Sequence, residues 1–550
     1  MGSIWSQTCS IGRRPPLRGH LKTQAAVVGA GMAGVLTAYA LQQAGLSVVV
    51  LEADRIAGGQ TQNTTAKITS QHGLIYSRLI QSFGEETARR YAKANQDAVR
   101  AYQDLIDVQG ISCDWEERCA YLYGPDVTVL QEEAEAARRL GLPASFTREV
   151  SIPIPHDGAV CFEGQAQFHP LKFLKVLADQ LTIYEQSRVL TAEGDLLTTE
   201  LGSVQAEHIV FACHFPFVNF PGMYFARMHQ ERSYVLALQG APPVDGMFLG
   251  VGRDTFSLRT YGELLLLGGG GHRTGENTEG GRYDLLRRKA REWFPQSQET
   301  AHWSAQDCIP PDHVPYIGPY SSSHPGWYVA TGFQKWGMTS SMAAATLLCD
   351  MIQGRDNPYA GLFSPSRLDP AALPGILTEG GQAVKSMVKR FFQIPAEAAK
   401  DIPAGHGGIV FLNGKKAGVY RDKSGALHPV DIRCPHLGCQ LEWDPDEKTW
   451  DCPCHGSSPG PHRQTWTPVS GPAGGLYRHQ SSGLHNDRSG SEGLVPPLYQ
   501  PGRSAGVRIF GGCPPDVSAL HGLGPAARPL LPSCGGGGGG AGPAGLKKLL

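Results

Sequence analysis

Four residues near the middle of the last third of the chain have the types and spacing of metal ligands. Cys434 and His436 form a C-x-H pair, and fifteen residues later Cys452 and His455 form C-x-x-H. Two thiolates and two imidazoles on paired loops suit either Zn²⁺ or an iron–sulfur cluster. Zinc ligands more often come as C-x₂₋₄-C pairs, which this order is not. Of thirteen cysteines, Cys434, Cys439, Cys452 and Cys454 crowd into this one stretch. In a cytosolic chain that concentration points to metal before structural disulfides.

A second set sits near the N-terminus. Gly29, Gly31 and Gly34 follow the apolar run Ala25–Val28 in G-x-G-x-x-G spacing. A helical pattern (Leu36, Tyr39, Ala40, Gln43), Gly45, a second apolar run Val48–Leu51 and then Glu52 complete the unit. Gly29 allows the tight turn, Gly31 the close approach of a pyrophosphate, and Gly34 the packing of helix on strand; the helix N-terminus favours negative charge. Glu52 is placed to accept hydrogen bonds from a ribose. The unit reads as a dinucleotide site; the plainer alternative is a Gly-rich turn in another parallel α/β sheet. The polar loop that follows, residues 53–73, could supply hydroxyl and amide donors to a pyrophosphate or a flavin ring, or could be surface.

These residues need elements to hold them. Helical patterns run over about 75–108, 132–140 and 171–181, and an apolar strand over 204–212 returns to the nucleotide-binding sheet. Strand-like runs between about 225 and 300 suggest an antiparallel sheet in a substrate domain. Arg259 and Tyr261 share one face of a strand there, and they are weak catalytic candidates if that face lines a cavity; the alternative is an exposed face. In WYVATGFQKWGMT a strand runs into a Gly-rich turn and a helix of small residues, with backbone N–H groups that could stabilise negative charge on a reduced flavin. Two short strands before Cys434 fit a small β domain.

Composition narrows the class. With 550 residues, 49 Lys plus Arg against 50 Asp plus Glu, the chain is long enough for several domains and nearly neutral. Neither nucleic acid nor an anionic membrane is then an expected main partner. No apolar segment reads as a secretory signal or a membrane span, so the cytoplasm is the expected location.

The glycine unit with Glu52, the GGQTQNTTAK loop and the PYIGP…YVATGFQKWGMT block together resemble the glycine oxidase and D-amino-acid oxidase (DAO) family over about residues 20–355. The resemblance implies bound FAD, an α/β Rossmann-like domain with an antiparallel-sheet substrate domain, and oxidation of a C–N bond of an amine or amino acid by hydride transfer to flavin. The cofactor-binding candidates are Gly29, Gly31, Met32, Ala33, Gly34, Glu52, Ala53, Thr61, Thr65, Gly332, Gly337, Met338 and Thr339. The later stretch, CPHLGCQ…DCPCHGS, resembles the Rieske proteins. That implies a [2Fe–2S] cluster held by Cys434, His436, Cys452 and His455, a Cys439–Cys454 disulfide, and a hydrogen bond from Ser457 to a cluster sulfur. Neutral imidazoles in place of two thiolates raise the cluster potential.

The expected organisation is an N-terminal arm (1–22), an FAD-dependent oxidoreductase (23–358), a linker with a helix at 384–392 (359–403), an all-β Rieske domain (404–457) and an irregular tail (458–550). The tail changes composition abruptly after Ser457, as a reading-frame shift would produce; a natural disordered extension is the alternative. A frame shift would also take part of their support from the cluster loops and put cluster assembly in this chain in question. The expected activity is an FAD-dependent amine or amino-acid oxidoreductase whose cluster relays single electrons to or from a further partner. The rival is an electron-transfer or redox-sensing protein without an amine substrate. No two-His one-carboxylate iron site and no monooxygenase motif is visible.

Overall fold

The computed structural model describes residues 2–218, 220–252, 255–367, 381, 401–412, 415–434, 438–454 and 456. The linker helix, His436, His455, Ser457 and the tail therefore lie outside the described residues.

The first sheet is built on strand β1 (Gly19–Val28), which pairs in parallel with β2 (Val48–Leu51) on one side and β3 (Gly202–Phe211) on the other. Trp327–Thr331 extends the parallel order beyond β3, and Tyr316–Pro319 closes that edge antiparallel. Central parallel strands are covered on both faces, which is why Ala25–Val28 and Val48–Leu51 read as unbroken apolar runs and are buried throughout.

The second sheet has nine strands and is antiparallel except where Met247–Gly250 runs parallel to Glu116–Gly124. Its far edge is β4 (His229–Gln239) paired with β5 (Gln298–Ile309). The expected sheet at 225–300 is part of it, but the sheet also recruits Glu116–Gly124, Ala144–Thr147 and Gly158–Gln167. The long helical pattern is two helices, Tyr76–Phe83 and Glu85–Gln109, divided at Gly84.

The N-terminal arm is not a loose surface segment. Ser3 caps a short helix, α1 (Ile4–Thr8), and Trp5 on it is fully buried, its indole N–H donating to Thr64 O at 2.7 Å. An indole carries more apolar area than any other side chain and needs a partner for its N–H; both needs are met under the polar loop. Trp5→Ala is expected to cost about 3–5 kcal/mol of stability, read as a fall in the thermal midpoint.

The C-terminal module has a three-stranded antiparallel sheet (Gly407–Leu412, Lys415–Arg421, Leu427–Val430) and a hairpin (Glu442–Asp444, Thr449–Asp451). Its core holds Trp443 and Trp450 together with Cys434, Cys439, Cys452 and Cys454.

Candidate functional site

The glycine turn opens into a cavity of about 490 Å³, within the range of small-molecule and cofactor sites. Helix α2 (Met32–Gln43) starts at this cavity, and so does α3 (Gly337–Ile352). Two helix N-termini thus point positive ends at one space, a surround suited to a pyrophosphate and an electron-rich ring. Gly29, Gly31, Met32, Ala33, Glu52, Ala53, Thr61, Thr65, Gly337 and Met338 all line it.

Three expected residues do not reach the cavity wall. Gly34 faces the strand behind, where a Cβ would run into Gly29 O, so its smallness serves packing. Gly332 is backed by Pro310. Thr339 is buried with its hydroxyl bonded to Thr69 N and O, at 3.0 and 2.9 Å, tying α3 to the polar loop.

Glu52 accepts from Ala30 N at 2.8 Å through one oxygen and Asp54 N at 2.9 Å through the other. Each oxygen keeps a second lone pair, and burial pushes the carboxyl above its ordinary range. Gln71 lines the cavity, is 2% exposed, and its Nε2 has no hydrogen-bond partner among the described residues. A buried amide donor left open costs free energy unless a ligand accepts from it. These features fit a dinucleotide with a polar ring system.

Arg259 and Tyr261 are elsewhere. Ser257, on the same strand face, lines the cavity, but the strand runs on past the cavity's end and neither Arg259 nor Tyr261 lines it. There Trp5 fills the space: Arg259 lies 5.4 Å from its ring and donates to Thr65 O and Ala66 O at 2.8 and 2.7 Å. Tyr261 donates to Asp114 at 2.7 Å. Arg259 thus braces the polar loop from behind, while Tyr261 packs on Trp5.

Of the charged groups that face the cavity, Lys67 and Lys335 lie in the GGQTQNTTAK and YVATGFQKWGMT stretches, while Glu231 and Asp307 come from strands whose spacing gives no motif. Lys67 donates to Phe248 O and Ser257 Oγ, and burial, helped by the charge of Arg259, brings its ammonium down to about 7. Glu231 is held down to about 2 by hydrogen bonding from His229, with Lys335 adding an ion pair at 3.1 Å. Asp307, directly opposite Glu231 across the β4–β5 ladder, is open to the cavity but shielded from bulk water, and that desolvation raises it to about 7.

The Asp307 shift has a sign that can be measured. Its folded value lies above its ordinary 3.8, so the native state holds a proton that the unfolded chain releases between pH 4 and 7. Stability from this group is therefore lost as pH rises through that window. Asp307→Asn should raise the thermal midpoint relative to the parent more at pH 8 than at pH 5, and an equal effect at both would contradict the assignment.

The sulfur site lies in two turns. In the first, Cys434 N donates to Cys439 O at 2.9 Å and Gly438 N to Cys434 O at 2.7 Å; in the second, Gly456 N donates to Cys452 O at 2.8 Å. Sγ atoms of Cys439, Cys452 and Cys454 lie within 4.8 Å of one another, and Cys434 is in hydrogen-bonding reach of Cys452. All four are at most 3% exposed. Convergent buried soft sulfur donors suit an iron–sulfur cluster. Cys439 and Cys454, the implied disulfide pair, lie side by side in this group and are not bonded to each other in the structure.

The two sites share a wall. On β4, Glu231 and Ser233 face the cavity, while Gln230 and Arg232 are buried on the other side; on β5, Ala305 and Asp307 face the cavity and Gln306 the other side. Against that outer face lies the second cysteine turn, with Gln306 Nε2 donating to Gly456 O at 2.7 Å.

Comparison with known proteins agrees with this division. Residues 24–351 match the FAD dependent oxidoreductase (DAO) family and residues 393–462 the Rieske [2Fe-2S] domain. YhfW of Bacillus subtilis (strain 168), named as a Rieske 2Fe-2S iron-sulfur protein, is 37% identical over 493 residues, covering 86% of this chain and 96% of YhfW. Glycine oxidase of Pseudomonas aeruginosa is 26% identical over 365 residues, 61% of this chain and 97% of that protein. In fold, the chain superposes on glycine oxidase from Geobacillus kaustophilus with a TM-score of 0.53 at 17% identity, covering 63% of this chain and 99% of that one. L-proline dehydrogenase from P.horikoshii gives 0.53 at 16% identity, with 64% and 98% covered. Among the described residues no helix is long and apolar enough to cross a membrane. The chain belongs to the FAD-dependent oxidoreductase (DAO) family and carries a C-terminal Rieske domain; it is an oxidoreductase whose cofactors are FAD and a [2Fe–2S] cluster.

Proposed function

We propose that this protein oxidises a C–N bond of an amine or amino acid at the cavity and exchanges the electrons singly through the Rieske domain with a further partner. When bound, FAD supplies a two-electron hydride acceptor and the cluster a one-electron carrier. The observation that carries the reading is the shared wall: cavity-facing Asp307 and cluster-loop-facing Gln306 are neighbours on one strand. The names of the similar glycine oxidase and L-proline dehydrogenase support an amine substrate.

In this reading the dinucleotide's adenosine end lies at Gly29–Gly34 and Glu52, and its ring system lies toward Gly337 and Met338. Cys434, His436, Cys452 and His455 hold the cluster, and the two modules span about 23–358 and 404–457. Lys335 places positive charge at the cavity beside Glu231, and Lys67 a further N–H donor, suited to a substrate carboxylate. Asp307 and Lys67 are the cavity groups able to exchange a proton near neutrality.

The test is anaerobic mixing with a panel of amines and amino acids, followed by flavin absorbance. Bleaching by a member of the panel supports the reading. Reduction only by NAD(P)H or a protein donor would replace it with a pure electron-transfer role.

A further inference from the structure

The outer face of the cavity wall carries a buried clasp. Arg232 is 4% exposed, and its Nη1 lies 3.0 Å from Asp451 and 3.3 Å from Asp444, both on the Rieske hairpin. Its Nη2 donates to Gln306 Oε1 at 2.9 Å. Gln306 in turn donates to Gly456 O at 2.7 Å and to Gln230, and its backbone N–H is taken by Gln60, a cavity residue, at 2.7 Å. Gly456 has φ +63°, and a Cβ there would collide with both glutamine side chains. The cysteine turn is therefore seated on the wall by contacts that admit no side chain.

Charge sets the second half of the argument. Two buried carboxylates, Asp444 and Asp451, meet one guanidinium, and Asp451 directly precedes Cys452. A centre that gains an electron gains negative charge, which nearby carboxylates oppose and a nearby cation favours. Buried ion pairs rarely add stability over an apolar packing of equal volume, so this one needs another reason to be there.

We infer that Arg232 and Gln306 are positioning residues of the relay: Gln306 seats the cysteine turn on the cavity wall, and Arg232 sets the potential at which the cluster accepts an electron. The inference rests on the relay reading above only for its kinetic half. The step is a one-electron exchange, the reduced flavin losing the electron that the cluster gains.

The experiment uses the full chain with both cofactors. The cluster potential is measured by EPR-monitored redox titration, and electron exchange by photoreducing the flavin under argon and following the cluster signal. Arg232→Gln should lower the potential and Asp444→Asn should raise it, while Arg232→Lys should keep it near the parent. Gln306→Leu, which leaves the charges in place, should keep the potential but slow exchange at least tenfold. Potentials that do not move, or that move in one direction for both charge variants, overturn Arg232's role. Parent-like exchange in Gln306→Leu overturns the seating role. A parent whose cluster is never reduced from the flavin refutes the relay itself, and the potential shifts then still decide the charge half.

Discussion

Gly34→Ala is expected to give a protein that leaves the column colourless in the flavin bands, or does not fold. The added methyl would lie inside contact distance of Gly29 O, a backbone atom of the turn itself. No rotamer change can relieve that clash; either α2 lifts from β1 or the turn opens. Overpacking of this kind costs about 1–3 kcal/mol even where side chains can yield, and at about 1.4 kcal/mol per tenfold the turn would lose roughly one to two decades of FAD affinity. Gly31→Ala separates packing from ligand approach. Its Cβ would meet only Thr61 Oγ1, at 3.3 Å, so the apoprotein should keep its thermal midpoint while FAD binding weakens. The check is the ratio of flavin to protein absorbance after gel filtration, with the thermal midpoint of the stripped protein. Full flavin occupancy in Gly34→Ala would remove the turn from the binding site.

The difference between these two glycines was open to sequence reasoning because both act within one contiguous unit. Strand, turn, helix, strand and Glu52 are neighbours in the chain, so spacing alone specifies geometry. The cysteine turns are legible for the same reason. What spacing could not show is which residues meet from distant strands. Glu231 and Asp307 face each other only because β4 and β5 pair in one register, and a slip of β5 by one residue would turn Asp307 to the Rieske side. Arg232 and Gln306 are hidden in the same way. The reading of Arg259 failed differently: alternation gave its face, but the far end of that face is filled by Trp5, more than 250 positions away. Nothing in the local text of residues 1–22 announces that role beyond one tryptophan among scattered Ile and Leu.

Cys452→Ser should abolish the cluster and spare the flavin. Cys452 is fully buried and lies among Cys434, Cys439 and Cys454, so a serine there puts a poor, harder ligand at the centre of the sulfur group. Iron and acid-labile sulfide should fall to background, and the visible spectrum should reduce to that of flavin alone. FAD should stay, because the cavity is lined entirely by residues 28–341. If an amine reduces the flavin in the parent, it should do so in Cys452→Ser at a similar first-turnover rate, while one-electron output to a soluble acceptor such as cytochrome c disappears. The C-terminal module should also lose thermal stability, since metal binding that requires the folded site contributes to folding. Cys439→Ser is the control: it removes a neighbouring thiol that the Rieske pattern does not use as a ligand, so iron should be retained at a lowered thermal midpoint. Iron loss in both variants alike would mean that Cys439 is itself a ligand, and full iron retention in Cys452→Ser would sink the ligand assignment and, with it, the passage of electrons across the β4–β5 wall.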